Sequence, residues 1–281
     1  MTMPYDGRSR SAPTYEPGAL PPDEFEAEFC DTLIGALLAS GITPGMPDGM
    51  TPEVARRYHA TYLKYMSFFA WKFPSWLMSV ASLCPYQDVR REIINDCVDE
   101  EVGDPDADGR CHIDLLYDEA EECGLSRQEI FETEPTPAIV TCINAWENLT
   151  RTTGWLPGFA AIAGLEITQS EPAKRARVRL TGIDDSQRYS EEMGGKTFHD
   201  RLGMPEDSLK FFSLHAYKDV FHGGGELALL VRYAFSRQLQ TECLWAAKTS
   251  MQIMTVHANE VRRLARAAAG IGDPAPALAT T

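Results

Sequence analysis

His215, Asp219 and His222 are the residues whose types and spacing point most directly to chemistry. They stand at i, i+4 and i+7 in Phe211-Phe-Ser-Leu-His-Ala-Tyr-Lys-Asp-Val-Phe-His222. A helix turns roughly 100° per residue, so side chains at this spacing fall within roughly 60° of one another. Two imidazoles and a carboxylate on one stripe make half of a metal site. Phe211 and Phe212 lie on or beside the stripe, so it is expected to face the interior. Gly223, Gly224 and Gly225 read as the helix stop. Taken singly, each of the three would be a hydrogen-bonded histidine or a surface acid. The triple carries the metal reading, and it needs partners from elsewhere in the chain.

Those partners should be acids and histidines near helix ends in core-like text. Glu101 and His112 form one such pair, joined by a short loop. Glu166 closes the small-residue segment from Trp155, where helices can approach closely and a lone acid is unusual. With the first three they give three carboxylates and three imidazoles, a mixed donor set suited to iron or manganese and large enough for two ions. Asp219-x-x-His222 has the i, i+3 spacing that di-iron bundles use as Glu-x-x-His. No Glu-x-x-His occurs in the chain, so a ferritin-like site is not supported. The loop from Asp104 to Gly109 has the flavour of a calcium loop, but Leu115 stands where the twelfth-position Glu is required. His59, on an aromatic-rich helix, reads as a packing residue. His199 reads as exposed, His257 as surface or packing, and the basic run Lys174 to Arg179 as a solvated face.

The elements that must position these residues all read as helices. Thr51-Pro52 and Thr136-Pro137 each combine an N-cap threonine with a proline in the first turn. Pro74 to Cys84 reads as a short separate helix, and Pro85 as opening the next. Glu226 to Arg266 reads as one long helix. Residues 1–22 read as a flexible arm, 23–267 as a single helical domain and 268–281 as a flexible tail. Within the domain, 171–206 is poorly patterned and contains Gly194-Gly195, which suggests an inserted lid. No stretch alternates like a strand, so the expected class is all-α, a compact helical bundle.

Composition narrows the function classes. The 281 residues are 44% apolar, and no apolar run approaches the ~18 residues that span a membrane. The N-terminal residues lack the apolar core of a secretory signal, so a cytoplasmic protein is expected. Seven cysteines without a Cys-x-x-Cys pair fit reduced thiols. A net charge of −15 argues against binding a phosphate backbone.

In this order, the motifs resemble those of the haem-oxygenase-like di-iron oxidases and oxygenases, related in fold to the TenA and PqqC proteins. That family has an acid at a helix end followed by a His, then a Glu on a later helix, then His-x-x-x-Asp-x-x-His. His215, Asp219 and His222 match the last element. Asn95 to Gly103 followed by His112 looks like the first, with Glu101 the better match because it precedes x-Gly, and Glu100 its rival. Glu166 looks like the middle acid. The gap from Glu166 to His215 is longer than the family usually has. Either 171–206 is an insertion, or Glu171 or Asp185 takes the middle role.

The resemblance implies two iron ions cycling between Fe(II) and Fe(III), O₂ as co-substrate, and an external electron donor such as a reductase or ferredoxin. It also implies a small-molecule substrate and a homodimer, with no membrane or nucleic-acid partner. The implied reaction is N-oxygenation of a small amine, amidine or amino-acid-derived compound in specialised biosynthesis. The absence of long apolar helix faces, which an acyl tail would need, favours that class. The alternatives are oxidative C–C cleavage, desaturation or decarboxylation of an amino acid or fatty acid, and a metal-free or haem-binding protein of the same fold. Haem needs one axial His rather than a cluster of carboxylates.

Overall fold

The structure, a computed structural model, describes residues 13–41, 45–184, 198–205 and 208–272, without the side chains of His199, Ala216, Tyr217, Asp219 and Phe221. Among the described residues it is all-α, and the one β feature is an isolated bridge between Asp104 and Arg110. The helices are α1 (Pro22–Ala39), α2 (Pro52–Leu83), α3 (Gln87–Glu101), α4 (His112–Glu122), α5 (Arg127–Phe131), α6 (Pro137–Thr152) and α7 (Trp155–Ile167). They continue with α8 (Glu171–Thr181), α9 (Phe198–Leu202), α10 (Lys210–Tyr233) and α11 (Arg237–Ala269). A 3₁₀ turn, Pro105–Ala107, joins α3 to α4. None of the described helices is long and apolar enough to cross a membrane.

The core is built around α7, which packs on α11, α10, α6 and α2. Every residue from Leu156 to Gly164 is buried, which suits a helix that is small or apolar on all sides. Trp76 of α2 and Trp146 of α6 pack against each other with ring centroids 5.3 Å apart. Their indole N–H groups donate to Glu147 and Ser250 respectively, so each ring is buried without leaving a donor unmet.

Several boundaries differ from the sequence expectation, each for a packing reason. α2 runs through Pro74 without stopping, because Phe73, Pro74, Trp76 and Leu77 are all buried in the core. That burial outweighs the proline penalty of about 3 kcal/mol. The three glycines do not end α10, which continues to Tyr233. A Cβ on Gly223 would lie 2.7 Å from the backbone oxygen of Glu166 and 2.9 Å from the Cα of Ile167. Glycine there lets α10 cross α7 backbone to backbone, at a helix-propensity cost of about 1 kcal/mol. The single helix expected over 226–266 is broken at 234–236, where Ser236 caps α11 by accepting from the Leu239 N–H.

The segment read as a lid is in part ordinary structure. Residues 171–181 form α8, packed on α1, with Arg179 paired to Asp31 at 2.6 Å and Arg175 within 3.8 Å of Glu26. Residues 185–197 lie outside the described residues. Part of the expected arm is tied down as well: the Glu16 N–H donates to the Phe235 carbonyl and the Tyr15 hydroxyl to that of Val231.

Candidate metal centre

α3 brings acids to the interior at four-residue spacing: Glu92, Asp96 and Glu100 share one face. Glu100 is largely buried, whereas Glu101 is exposed at the end of the helix. The rival acid therefore takes the place assigned to Glu101. Neighbouring helical positions point about 100° apart, and only one of the two can face inward.

Ligand atoms of Glu100, His112 and His215 lie within 4.8 Å of one another, the arrangement of a metal site. His112 Nδ1 is 2.9 Å from Glu100 Oε1, and its Nε2 is 3.0 Å from Asp104 Oδ2. The His112 and His215 rings stand 4.6 Å apart. His215 donates Nδ1–H to the Phe211 carbonyl at 2.7 Å, which fixes the tautomer and leaves the Nε2 lone pair able to bind a metal. Behind this trio sits a clamp that sequence reading missed. Asp104 is fully buried, and Lys218 reaches it at 2.9 Å while also reaching Asp106 at 2.8 Å and Asp99 at 3.3 Å. The loop with calcium-loop flavour thus serves to place Asp104 behind His112.

The electrostatics follow from the contacts. Burial works against charge on His112, but its hydrogen bonds to Glu100 and Asp104 outweigh it and lift its pKa to about 9. Burial, aided by charge on His112, holds His215 below the usual histidine range. Burial works against charge on Asp104 too, yet its bonds to His112 and Lys218 hold its carboxyl below the usual range.

A second group lies beside the first. Nδ1 of His222 is 3.4 Å from Glu166 Oε2, outside hydrogen-bond geometry, and its Nε2 is 3.9 Å from Asp99 Oδ2. Asp96 is buried here, and burial together with the charge of Glu166 pushes its pKa up to about 8. Asp96 Oδ2 and Glu166 Oε2 are buried and have no hydrogen-bond partner among the described residues. Of the acids considered for the middle position, Glu166 lies beside His222, while Glu171 is exposed and paired to Lys174 at 2.9 Å. Asp185 lies outside the described residues, and so does the side chain of Asp219. Asp96 could have been found from sequence, since it precedes Glu100 by one helical turn.

Glu100, Glu166 and His215 all border one cavity of about 270 Å³. Its walls are mostly aromatic, aliphatic and methionine side chains from α2, α10 and α11. This departs from the expectation that apolar surface around a substrate would be scarce. The residues come from several helices at different turns, so no single helix shows the surface they make together. His59, read as a packing residue, also borders the cavity; its Nε2 is 2.6 Å from buried Glu119. His257 is fully buried.

The sequence profile of the iron-containing redox enzymes, a haem-oxygenase-like family, matches residues 60–254. The chain belongs to that family. A 4-aminobenzoate synthase of Nitrosomonas europaea is 26% identical over 164 residues, 57% of this chain and 56% of that protein. A 4-aminobenzoate synthase of Chlamydia trachomatis is 25% identical over 181 residues, 64% of this chain and 67% of that protein. The chain therefore spans little more than half the length of the first relative. Among solved structures, a domain of Shewanella denitrificans with a haem-oxygenase-like fold superposes with a TM-score of 0.57 at 13% identity, covering 88% of this chain and 94% of that one. A TenA homologue of Pseudomonas syringae gives 0.49 at 13% identity, with 86% and 89% covered. The fold is thus haem-oxygenase-like, and the site residues fit the iron that the family name carries. Buried nitrogen and oxygen donors converge, and two buried carboxylate oxygens lack a proton donor.

Proposed function

We propose that the protein is an O₂-dependent non-haem di-iron oxygenase. The observation that carries this reading is a pair of adjacent histidine–carboxylate groups facing an apolar cavity. Glu100, His112 and His215 would hold one ion, and Glu166, His222 and Asp219 the other, with Asp96 beside the second. Bound iron would supply the reduction of O₂ with electrons from an external donor such as a reductase or ferredoxin.

The chain's own part is positional and electrostatic. Asp104 and Lys218 hold His112, the Phe211 carbonyl holds His215, and the carboxylates supply negative charge that favours a cation. The apolar walls keep water from the reacting centre and orient the substrate.

Within this class, N-oxygenation of a small amine, amidine or amino-acid-derived compound is the first reading. It is supported by two relatives named for a product that bears nitrogen. The apolar cavity favours a second reading, oxidation at carbon of an amino acid or fatty acid. The test is to load the protein with Fe(II) anaerobically, admit O₂ with candidate amines and acids, and analyse products by mass spectrometry. Oxygen incorporated at nitrogen supports the first reading, and desaturated or shortened acids the second. An iron-loaded protein that consumes no O₂ with any candidate contradicts both.

A further inference from the structure

Among the described residues the cavity wall holds one Lys or Arg side chain, that of Arg262, and its position is informative. Met251, Met254, Ala258 and Arg262 recur at three- and four-residue steps along α11, so they form one stripe facing the cavity. Three of the four are apolar, and the stripe ends on a guanidinium. A Cβ on Gly164 would lie 3.8 Å from that of Ala247, so the Glu166 end of α7 sits at the start of this stripe. Arg262 lies roughly 16 Å further along α11 than Met251, at 1.5 Å per residue. It therefore enters from the end of the stripe away from the metal-binding carboxylates.

Opposite Arg262 stand Tyr58 and Tyr62, one turn apart on α2 and both bordering the cavity. Burial pushes the Tyr58 phenol up to about 12, with Arg262 opposing the shift, and Tyr62 moves the same way for the same reasons. Both phenols stay protonated at neutral pH and can donate. One end of the cavity thus offers a fixed positive charge and two O–H donors. The other end offers the acids Glu100 and Glu166. A chain of net charge −15 repels anions in general, so a basic group in this wall gives an anion its local attraction.

We propose that the cavity binds a small carboxylic acid with an apolar body, its carboxylate received by Arg262 with Tyr58 and Tyr62 and its far end directed at the metal-binding residues. Guanidinium is suited to this role because it binds carboxylate through two parallel N–H bonds. The volume of about 270 Å³ suits a body somewhat larger than one benzene ring, since a dry cavity of about 150 Å³ holds benzene. The inference deepens the proposed function by naming the substrate class, and rests on it for the direction of the far end.

The test uses metal-free protein, so that it does not depend on iron. Calorimetry compares 3-phenylpropanoate with its neutral isostere 3-phenylpropanamide and with 3-phenylpropan-1-amine. The acid is expected to bind at least tenfold tighter than the amide. Arg262→Gln should abolish that difference and leave amide binding within twofold, while Arg262→Lys should keep part of it. Circular dichroism checks the fold of each variant, and the acid–amide comparison in unmodified protein stands even if neither variant folds. Equal binding of acid and amide, tightest binding of the amine, binding of none of the three, or a preference that survives Arg262→Gln would each overturn the proposal. A protein that takes up no iron but keeps the acid preference would remove the proposed function and leave this inference standing.

Discussion

The two halves of the proposed metal centre are buried side by side but meet their charges differently. Around His112 every polar edge has a partner: Glu100 on Nδ1, Asp104 on Nε2, and Lys218 behind Asp104. At Glu166 and Asp96, one buried carboxylate oxygen of each lacks a donor among the described residues, and the charge of Glu166 raises the Asp96 pKa. The first half is satisfied by hydrogen bonds alone and is framed before any ion arrives. The second crowds buried carboxylates that lack hydrogen-bond donors, so it gains most from a cation. A buried network loses stability when a member is removed, whereas a crowded set of like charges gains it.

The largest effect is expected where the network is tightest. Asp104→Ala should lower the stability of metal-free protein by about 3 kcal/mol, because it strands His112 and Lys218 in a buried place. Chemical denaturation measures this, and a change within error would show the clamp to be incidental.

His257 extends the comparison to a third kind of buried polar group. It sits beside Phe69 and Trp146 with neither ring nitrogen hydrogen-bonded among the described residues, and burial depresses its pKa to about 4. The unfolded chain takes up this proton near pH 6.5, but the folded chain does so only near 4. Stability is therefore fully present above about pH 6.5 and is lost as pH falls from there to about 4, by a total of about 3 kcal/mol. His257→Leu should flatten that part of the acid limb in paired denaturation curves at pH 7 and pH 4.5. An unchanged pH dependence would place the acid sensitivity elsewhere.

A smaller effect separates adjacent acids. Glu100→Ala should weaken Fe(II) binding by roughly 10- to 100-fold, the range seen even for groups that only support a ligand, while Glu101→Ala should leave it unchanged. Equilibrium dialysis decides, and the reverse ranking would turn α3 by one position.

The smallest effect has the opposite sign from the first. Glu166→Gln should stabilise metal-free protein by about 1 kcal/mol by relieving repulsion with Asp96, while weakening iron retention. Destabilisation of the metal-free protein would mean that the second half is as well satisfied as the first.

What could be read from sequence follows the range of the interactions involved. The all-α class and the facing of His215 and His222 come from periodicity within one helix, a local property. Glu166 stands out in the sequence because an acid is out of place among small apolar residues. Glu101 was preferred to Glu100 because it precedes x-Gly, yet a one-residue change of register turns a side chain from core to solvent, and Glu100 is the one that faces inward. The glycines were read as a stop because their local propensity is poor, and only the crossing of α7 at Glu166 explains why the helix continues. The Asp104–Lys218 clamp and the cavity wall join residues far apart in the chain, and no spacing rule reports them.

In the proposed centre both halves bind iron together. Anaerobic Fe(II) titration of the metal-free protein, followed by optical spectroscopy on exposure to O₂, tests it most directly. Saturation is expected at about two irons per chain, falling to one or fewer in His215→Ala with helicity retained, with a transient visible band after mixing with O₂. Saturation at one iron or none, or unchanged iron in His215→Ala, would contradict it.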